Sequence, residues 1–113
     1  MALKIEDIKL MKEYVEGIVS RADHHADDVN EIIFALVGGI VWRGADINVR
    51  AYKTKTANML WMETEMGNVY CFIFNHQTGK IEVHERTMNG SLLWEFSNAD
   101  SLTKVKTVFE SMQ

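Results

Sequence analysis

Apolar residues recur with two different periods along this 113-residue chain. Over residues 3–22 and again over 100–112 they return every three or four positions, which is typical of a helix with one buried face. Residues 29–43, VNEIIFALVGGIVWR, are apolar nearly all round, so we expect them to form the most buried helix. The pattern therefore predicts two helices near the start of the chain and one near its end.

After Gly44 the apolar period shortens to two, which indicates β-strands. We predict five strands, at about 46–53, 58–65, 69–75, 80–87 and 91–97. Turn-forming residues separate them, with Asn89-Gly90 the strongest hairpin signal and HQTG at 76–79 fitting a four-residue loop. The predicted fold is α+β: an antiparallel β-meander of about five strands packed against two N-terminal helices and one C-terminal helix, in one domain over residues 1–113.

Turn lengths decide which side chains share a face of the sheet. If the loops at Gly67-Asn68 and Asn89-Gly90 contain two residues, one face is rich in aromatic side chains and lies against the helices. A three-residue loop at the first of these sites would exchange the faces. If the loop at Gly67-Asn68 has two residues, we predict a ligand pocket between this face and the helices. The predicted lining residues are Trp61, Glu63, Tyr70, Phe72 and Trp94.

Such a pocket predicts a small soluble binding module for a small apolar or cationic ligand, because aromatic rings supply contact area and attract cations. In this interpretation Glu63 sets the polarity of the site. The alternative is a small carboxylate-dependent hydrolase or lyase with Glu63 or Glu85 as acid or base. Glu65 and Glu85 lie near predicted strand ends, where pointing into water is the simpler explanation.

The opposite face of the sheet is apolar on its second and third strands, and three helices cannot easily cover both faces, although curvature of the sheet around the second helix is an alternative explanation. We therefore expect a homodimer or higher oligomer. The predicted interface consists of Leu60, Met62, Val69, Ile73 and Leu93. A pure protein–protein interaction module is a further hypothesis for the same surface.

Two polar clusters are candidate reactive sites. The predicted register places His84 opposite Glu95 and beside Cys71, which could form a nucleophilic trio, although cross-strand charge pairing explains His84 and Glu95 without any function. The stretch RADHHADDVNEII at 21–33 has a metal-like composition, but Asp28 to Glu31 fits a helix capping box. We predict no metal site and no cofactor, since no Walker, dinucleotide or zinc motif is present.

Composition narrows the function classes. The chain is 47% hydrophobic and 25% charged with a net charge of −4, so nucleic acid is not an expected partner. A lone Cys71 excludes an intrachain disulfide and favours a reducing compartment. The longest apolar run is too short for a membrane span, so we expect no membrane partner and a cytoplasmic location.

The segment GNVYCFIFNHQTGKIEVHERTMNGSLLWEF, residues 67–96, resembles orphan bacterial proteins carried on integron gene cassettes. The resemblance implies a small, soluble, often oligomeric protein of unassigned activity, and it assigns no site residue. The order of elements is similar in outline to helix-grip folds, which hold apolar ligands between a curved sheet and helices. A helix-grip fold begins with a strand, whereas no strand is predicted before the first helix here.

Overall fold

In the part of the chain that the structure describes, six strands form one sheet in sequence order, each antiparallel to the next. A computed structural model describes residues 2–4, 9, 11–13, 15–17, 29–52 and 55–113. A central helix (Ile32–Arg43) separates the first two strands in the chain, and a C-terminal helix (Leu102–Ser111) follows the last. The strands are β1 (Ala2–Lys4), β2 (Asp46–Tyr52), β3 (Lys55–Glu63), β4 (Val69–Asn75), β5 (Lys80–Glu85) and β6 (Leu92–Phe96). The predicted α+β fold is confirmed.

The start of the chain differs from the prediction. Residues 2–4 form β1, which pairs with β2, so the helix predicted over 3–22 does not begin at residue 3 and a strand does precede it. Residues 9, 11–13 and 15–17 are helical, as expected. By pairing with β2 through its backbone, β1 covers the outer edge of β2. A strand of three residues is too short for its apolar pattern to predict it from the sequence. Among the described residues, no helix is long and apolar enough to cross a membrane.

The core lies between one face of the sheet and the helices. Phe72 of β4 stacks on Phe109 of the C-terminal helix, with ring centroids 6.0 Å apart and planes inclined by 10°. Both rings are fully buried. The other large contributors to this layer are Leu60, Met62, Phe74, Ile81, Val83 and Phe96 from the sheet and Ile33, Leu36, Ile40, Val105 and Val108 from the helices.

The turn between β3 and β4 corrects the predicted faces of β3. The Thr64 N–H donates to the Asn68 carbonyl at 2.9 Å, which leaves three residues in the loop, and Gly67 supplies the required left-handed backbone at φ +88°. Leu60 consequently pairs with Phe72 and points into the core. The predicted two-residue loop is wrong, and the alternative that exchanges the faces is the observed one.

The turn between β4 and β5 follows the prediction. Asn75 pairs with Lys80 across a four-residue loop, and Gly79 adopts the left-handed conformation at φ +73°. This loop places Phe72 opposite Val83, as predicted from its length.

The connection between β5 and β6 is longer than the predicted two-residue hairpin, since it spans residues 86–91. Gly90 is needed there for a different reason: a Cβ at this position would lie 1.8 Å from the Glu85 carbonyl oxygen. Val83 pairs with Trp94 rather than with Phe96, and a bulge follows at His84. The shift is by two residues, so the predicted faces of these strands hold even though the predicted partners are wrong.

The start of the central helix is capped from a distant part of the chain. The Asn98 side-chain oxygen accepts from the backbone N–H groups of Glu31 and Ile32 at 3.1 and 2.9 Å. Its amide nitrogen donates to the Asn30 side chain at 2.9 Å. Glu31 is the N-cap residue of the helix and its N–H is bonded to Asn98, while Asp28 of the predicted capping box lies outside the described residues. Asn98 thus ties the loop after β6 to the helix.

The other helix ends are set locally. Ser101 caps the C-terminal helix by accepting from the Lys104 N–H at 3.0 Å. Gly44 ends the central helix, with its N–H donating to the Ile40 carbonyl at 2.9 Å.

Candidate functional site

An aromatic cleft opens at the end of the sheet where β4 begins and β5 ends. Its volume is about 310 Å³. The cleft is lined by Asn68, Val69, Tyr70, Glu85, Arg86, Leu93 and Trp94. All of these described lining residues come from strands and the loops that join them, and none of them belongs to the central or the C-terminal helix.

Tyr70 and Trp94 form the apolar wall of the aromatic cleft. Their ring centroids are 6.0 Å apart and the ring planes are inclined by 43°. Both side chains are half-buried and pack against the margin of the core. The alternation of β4 and β6 places them on the same face as the buried Phe72 and Phe96, but only the latter two rings are fully buried. The wall is therefore a continuation of the core that remains open to solvent.

Arg86 lies at the rim of the cleft on a strained piece of backbone. It has φ +67°, and it is the one non-glycine residue with positive φ in the part of the chain that the structure describes. The Thr87 N–H reaches back across it to the Glu85 carbonyl at 2.7 Å, which makes a three-residue γ-type turn. The Arg86 N–H itself donates to the Val69 carbonyl at 3.0 Å. Such strain costs roughly 1–3 kcal/mol and is concentrated at functional sites in proteins.

The five residues predicted to line one pocket are divided among three places. Tyr70 and Trp94 do come together in the aromatic cleft. Phe72 is buried against Phe109 and is not available to a ligand. Trp61 and Glu63 lie on the opposite face of the sheet, because the three-residue turn shifts β3 by one position relative to β4.

Trp61 and Glu63 line a separate acidic depression of about 310 Å³, together with Asp46, Asn48 and Val69. Asp46 pairs directly with Glu63 across β2 and β3, and Asn48 pairs with Trp61. Two carboxylates thus lie next to an indole ring, and the described lining includes no basic side chain. This combination favours a positively charged group over the ring.

The predicted interface residues also separate. Leu60 and Met62 are fully buried in the core beneath the helices, so they cannot contribute to a surface. The structural reason is the same change of face in β3. Val69 and Ile73 are half-buried, and Leu93 is exposed in the lining of the aromatic cleft.

His84 belongs to a bonded network rather than to a nucleophilic trio. Its Nε2 lies 2.8 Å from Glu82 Oε1, and its Nδ1 lies 2.9 Å from the Gly90 carbonyl oxygen. Because both partners are acceptors, the doubly protonated imidazolium satisfies them best. Burial alone would lower the pKa of His84, but the bonds to Gly90 and Glu82 and the carboxylate charge outweigh it and raise this pKa. The bond from His84 lowers the pKa of Glu82 despite desolvation, with help from Asn75.

Cys71 pairs with His84 as predicted, but its thiol is fully buried. Burial raises the pKa of Cys71 to about 11, so the thiolate that a nucleophile requires is scarce at neutral pH. Glu95 lies opposite Glu82 instead of His84 and is 3.6 Å from the Lys80 ammonium. The arrangement fits a structural polar patch.

The histidine and aspartate cluster at 21–28 lies outside the described residues. His76 is exposed in the loop after β4, where its ring meets the Phe74 ring edge-on at 4.9 Å. Within the described part of the chain, no three histidine, cysteine or carboxylate groups are arranged to hold a metal ion.

Sequence reasoning missed Asn68, Arg86 and Asp46 as lining residues. Arg86 gives no local signal, since an arginine before Thr-Met-Asn does not indicate left-handed backbone. Asp46 would follow from the alternation of β2 only if the register of β2 against β3 were known.

Comparison with known proteins supports the resemblance noted for residues 67–96. A family model described as "Integron cassette protein VCH_CASS1 chain" matches residues 11–106, which is most of the chain. No curated protein matches it. The family description carries no activity, so any function has to be argued from the geometry.

Proposed function

The chain belongs to the integron cassette protein family, and from its geometry we propose that it is a small-molecule-binding module whose ligand occupies the aromatic cleft. The observation that carries this proposal is the pair of half-buried rings, Tyr70 and Trp94, at a cleft of about 310 Å³. That volume is at the lower end of the range for small-molecule sites. The expected ligand has a flat apolar body.

The rim of the cleft supplies polarity at one end. Glu85 and Arg86 are both exposed and adjacent in sequence, and Asn68 also lines the cleft, with its amide nitrogen donating to the Gln113 carbonyl at 2.8 Å. Because the strained turn fixes the backbone of Arg86, its side chain starts from a defined position next to the cleft. A ligand with one polar group beside its apolar body fits this rim better than a wholly apolar one.

The acidic depression supports a second candidate, binding of a small organic cation. Trp61 offers its ring, and the half-buried Glu63 carboxylate offers the countercharge. Cations over an indole ring are attracted more strongly than over the other aromatic side chains. Glu63 then has the role predicted for it from the sequence, at a different place from Tyr70 and Trp94.

The enzymatic alternative has less support in the structure. Glu85 is exposed, so it lacks the apolar surroundings that tune a carboxylate for proton transfer. Glu63 is half-buried beside another carboxylate. Neither is within a bonded arrangement with a second acid or base among the described contacts.

The three tryptophans provide a matched test, because each occupies a different surface. Saturation-transfer NMR with a library of flat apolar molecules and small organic cations should be run on the wild type and on Trp94→Ala, Trp61→Ala and Trp42→Ala. We expect Trp94→Ala to weaken the affinity for flat apolar molecules at least tenfold, and Trp42→Ala to leave this affinity unchanged.

The Trp61→Ala variant tests the acidic depression, and the Trp94→Ala variant tests the aromatic cleft. If cations lose affinity only in Trp61→Ala, the acidic depression is the site for them. If Trp94→Ala retains every ligand that the wild type binds while its thermal unfolding remains cooperative, the aromatic cleft is not a binding site and the proposal is wrong.

A further inference from the structure

The outer face of the central helix is apolar where a solvated helix would be polar. No charged side chain occurs between Glu31 and Arg43. Phe34 and Val41 are each 63% exposed, and Trp42 is 53% exposed. With 3.6 residues per turn, these three side chains and Gly38 fall on one side of the helix, opposite the buried Ile33, Leu36 and Ile40. Contiguous apolar surface of this kind marks an interaction site.

Gly38 gives the face its shape. A Cβ placed on Gly38 would have no atom within 4 Å, so this residue opens directly onto solvent. Phe34 precedes it by four residues and Trp42 follows it by four, which places a large side chain one helical turn to either side. The face is therefore low in the middle and high at both ends, a shape that allows close approach of another helix across Gly38.

The end of this face adjoins a depression of about 250 Å³ that Trp42 and Met66 help to line. Met66 is 77% exposed. The Arg43 guanidinium lies 5.3 Å from the centre of the Trp42 ring and also donates to the Met112 carbonyl, so the Trp42 end of the face is held in place. The depression has an apolar side, formed by Trp42 and Met66, and a polar side that includes Arg43, Thr64, Glu65 and Gln113.

We propose that this face binds the same face of a second copy of the chain, with the two central helices antiparallel and crossing at Gly38. A two-fold axis there brings Phe34 of each copy opposite Trp42 of the other, next to the Met66 depression. It also brings the Glu31 end of each helix towards the Arg43 end of its counterpart. Each chain carries both the protruding Phe34 and the depression beside Met66, and both Glu31 and Arg43. An isologous interface requires that the two complementary parts of the contact are present on the same chain.

The available area fits a modest dimer. At roughly 200 Å² for each large apolar side chain, the exposed fractions of Phe34, Val41, Trp42 and Met66 amount to roughly 500 Å² per copy. Two copies then bury on the order of 1,000 Å², which is near the lower limit for a specific interface. We expect a reversible dimer in the micromolar range. This surface replaces the predicted interface, two residues of which lie in the core.

Sedimentation velocity on the full chain, from about 1 to 300 μM, tests the proposal. The wild type should shift from monomer to dimer, and Val41→Lys should remain monomeric throughout the range. Leu102→Lys is the matched control, because Leu102 is 71% exposed on the other helix, and it should dimerise as the wild type does. Far-UV circular dichroism confirms that each variant is folded.

A cysteine at the crossing point tests the geometry. Gly38→Cys should form a disulfide-linked dimer on mild oxidation, whereas Leu102→Cys should not, and the buried Cys71 does not compete. A wild type that is monomeric at 300 μM would overturn the proposal and leave this face for a different protein. A dimer that Val41→Lys does not weaken, or that Gly38→Cys does not cross-link, would also overturn it.

Discussion

Gly38 and Gly39 are adjacent in the central helix, yet alanine should have opposite effects at the two positions. Glycine in a helix interior costs about 1 kcal/mol relative to alanine. At Gly38 nothing lies within 4 Å of the added Cβ, so Gly38→Ala should stabilise the protein by up to about 1 kcal/mol. Any smaller gain reflects the local solvent exposure of this turn.

At Gly39 the same gain is outweighed by a steric cost. The added Cβ would lie 2.4 Å from two ring carbons of Phe109. That ring cannot move aside easily, because it is fully buried and stacked on Phe72. Overpacking of a dense core typically costs about 1–3 kcal/mol, and the severe overlap here belongs at the upper end of that range. We therefore expect Gly39→Ala to destabilise the protein by about 2 kcal/mol overall.

Urea denaturation measures both effects as changes in the unfolding free energy. The experiment should be done at about 1 μM protein and repeated at about tenfold higher concentration, so that self-association shows as a concentration dependence. Gly39→Ala should cost less in a Phe109→Leu background than in the wild type, because the smaller side chain makes room for the methyl group. If Gly39→Ala is as stable as Gly38→Ala, the close packing of the two helices is wrong.

Two further predictions concern stability. Asn98→Ala should destabilise the protein by about 1–2 kcal/mol, because the central helix loses its cap. Asn98→Asp keeps the acceptor oxygen and should lose less stability. Equal losses of stability in thermal denaturation would show that the cap is unimportant. The pKa of His84 is raised in the folded protein, so this residue stabilises the fold below its unfolded-state pKa, and the stabilisation is lost as the pH rises through the folded-state pKa. The pKa of Glu82 is lowered, so this residue stabilises the fold above its unfolded-state pKa, and the stabilisation is lost as the pH falls through the folded-state pKa. The advantage of the wild type over His84→Gln should therefore be greatest between about pH 5 and 6, at about 1 kcal/mol, and a difference independent of pH would contradict the ion pair.

The parts of the fold that the sequence predicts are those fixed by local chemistry. The HQTG loop determines its own length through Gly79, and this length sets the register of Phe72 against Val83. The loop before β4 is ambiguous, because Gly67 can serve a two-residue or a three-residue turn. One residue of difference moves Trp61 and Glu63 to the opposite face and Leu60 into the core.

Long-range contacts explain the remaining differences. Asn98 caps a helix that begins more than 60 residues earlier in the chain, so no local pattern distinguishes it from a cap for the helix that follows it. β1 is too short to show a period of its own and is defined by its pairing with β2. Within the aromatic cleft, Tyr70 and Trp94 follow from strand alternation, whereas the left-handed Arg86 depends on the bonds of its turn.

The central claim is that a small molecule with a flat apolar body binds in the aromatic cleft, against the wall formed by Tyr70 and Trp94. The most direct measurement is a fragment screen by amide chemical-shift mapping on the ¹⁵N-labelled protein, with the resonances assigned. Our account predicts that flat apolar fragments shift the amides of Val69, Tyr70, Arg86 and Trp94 together while those of the C-terminal helix stay in place. Fragments that shift other regions only, or that shift no amide at millimolar concentration, would contradict it.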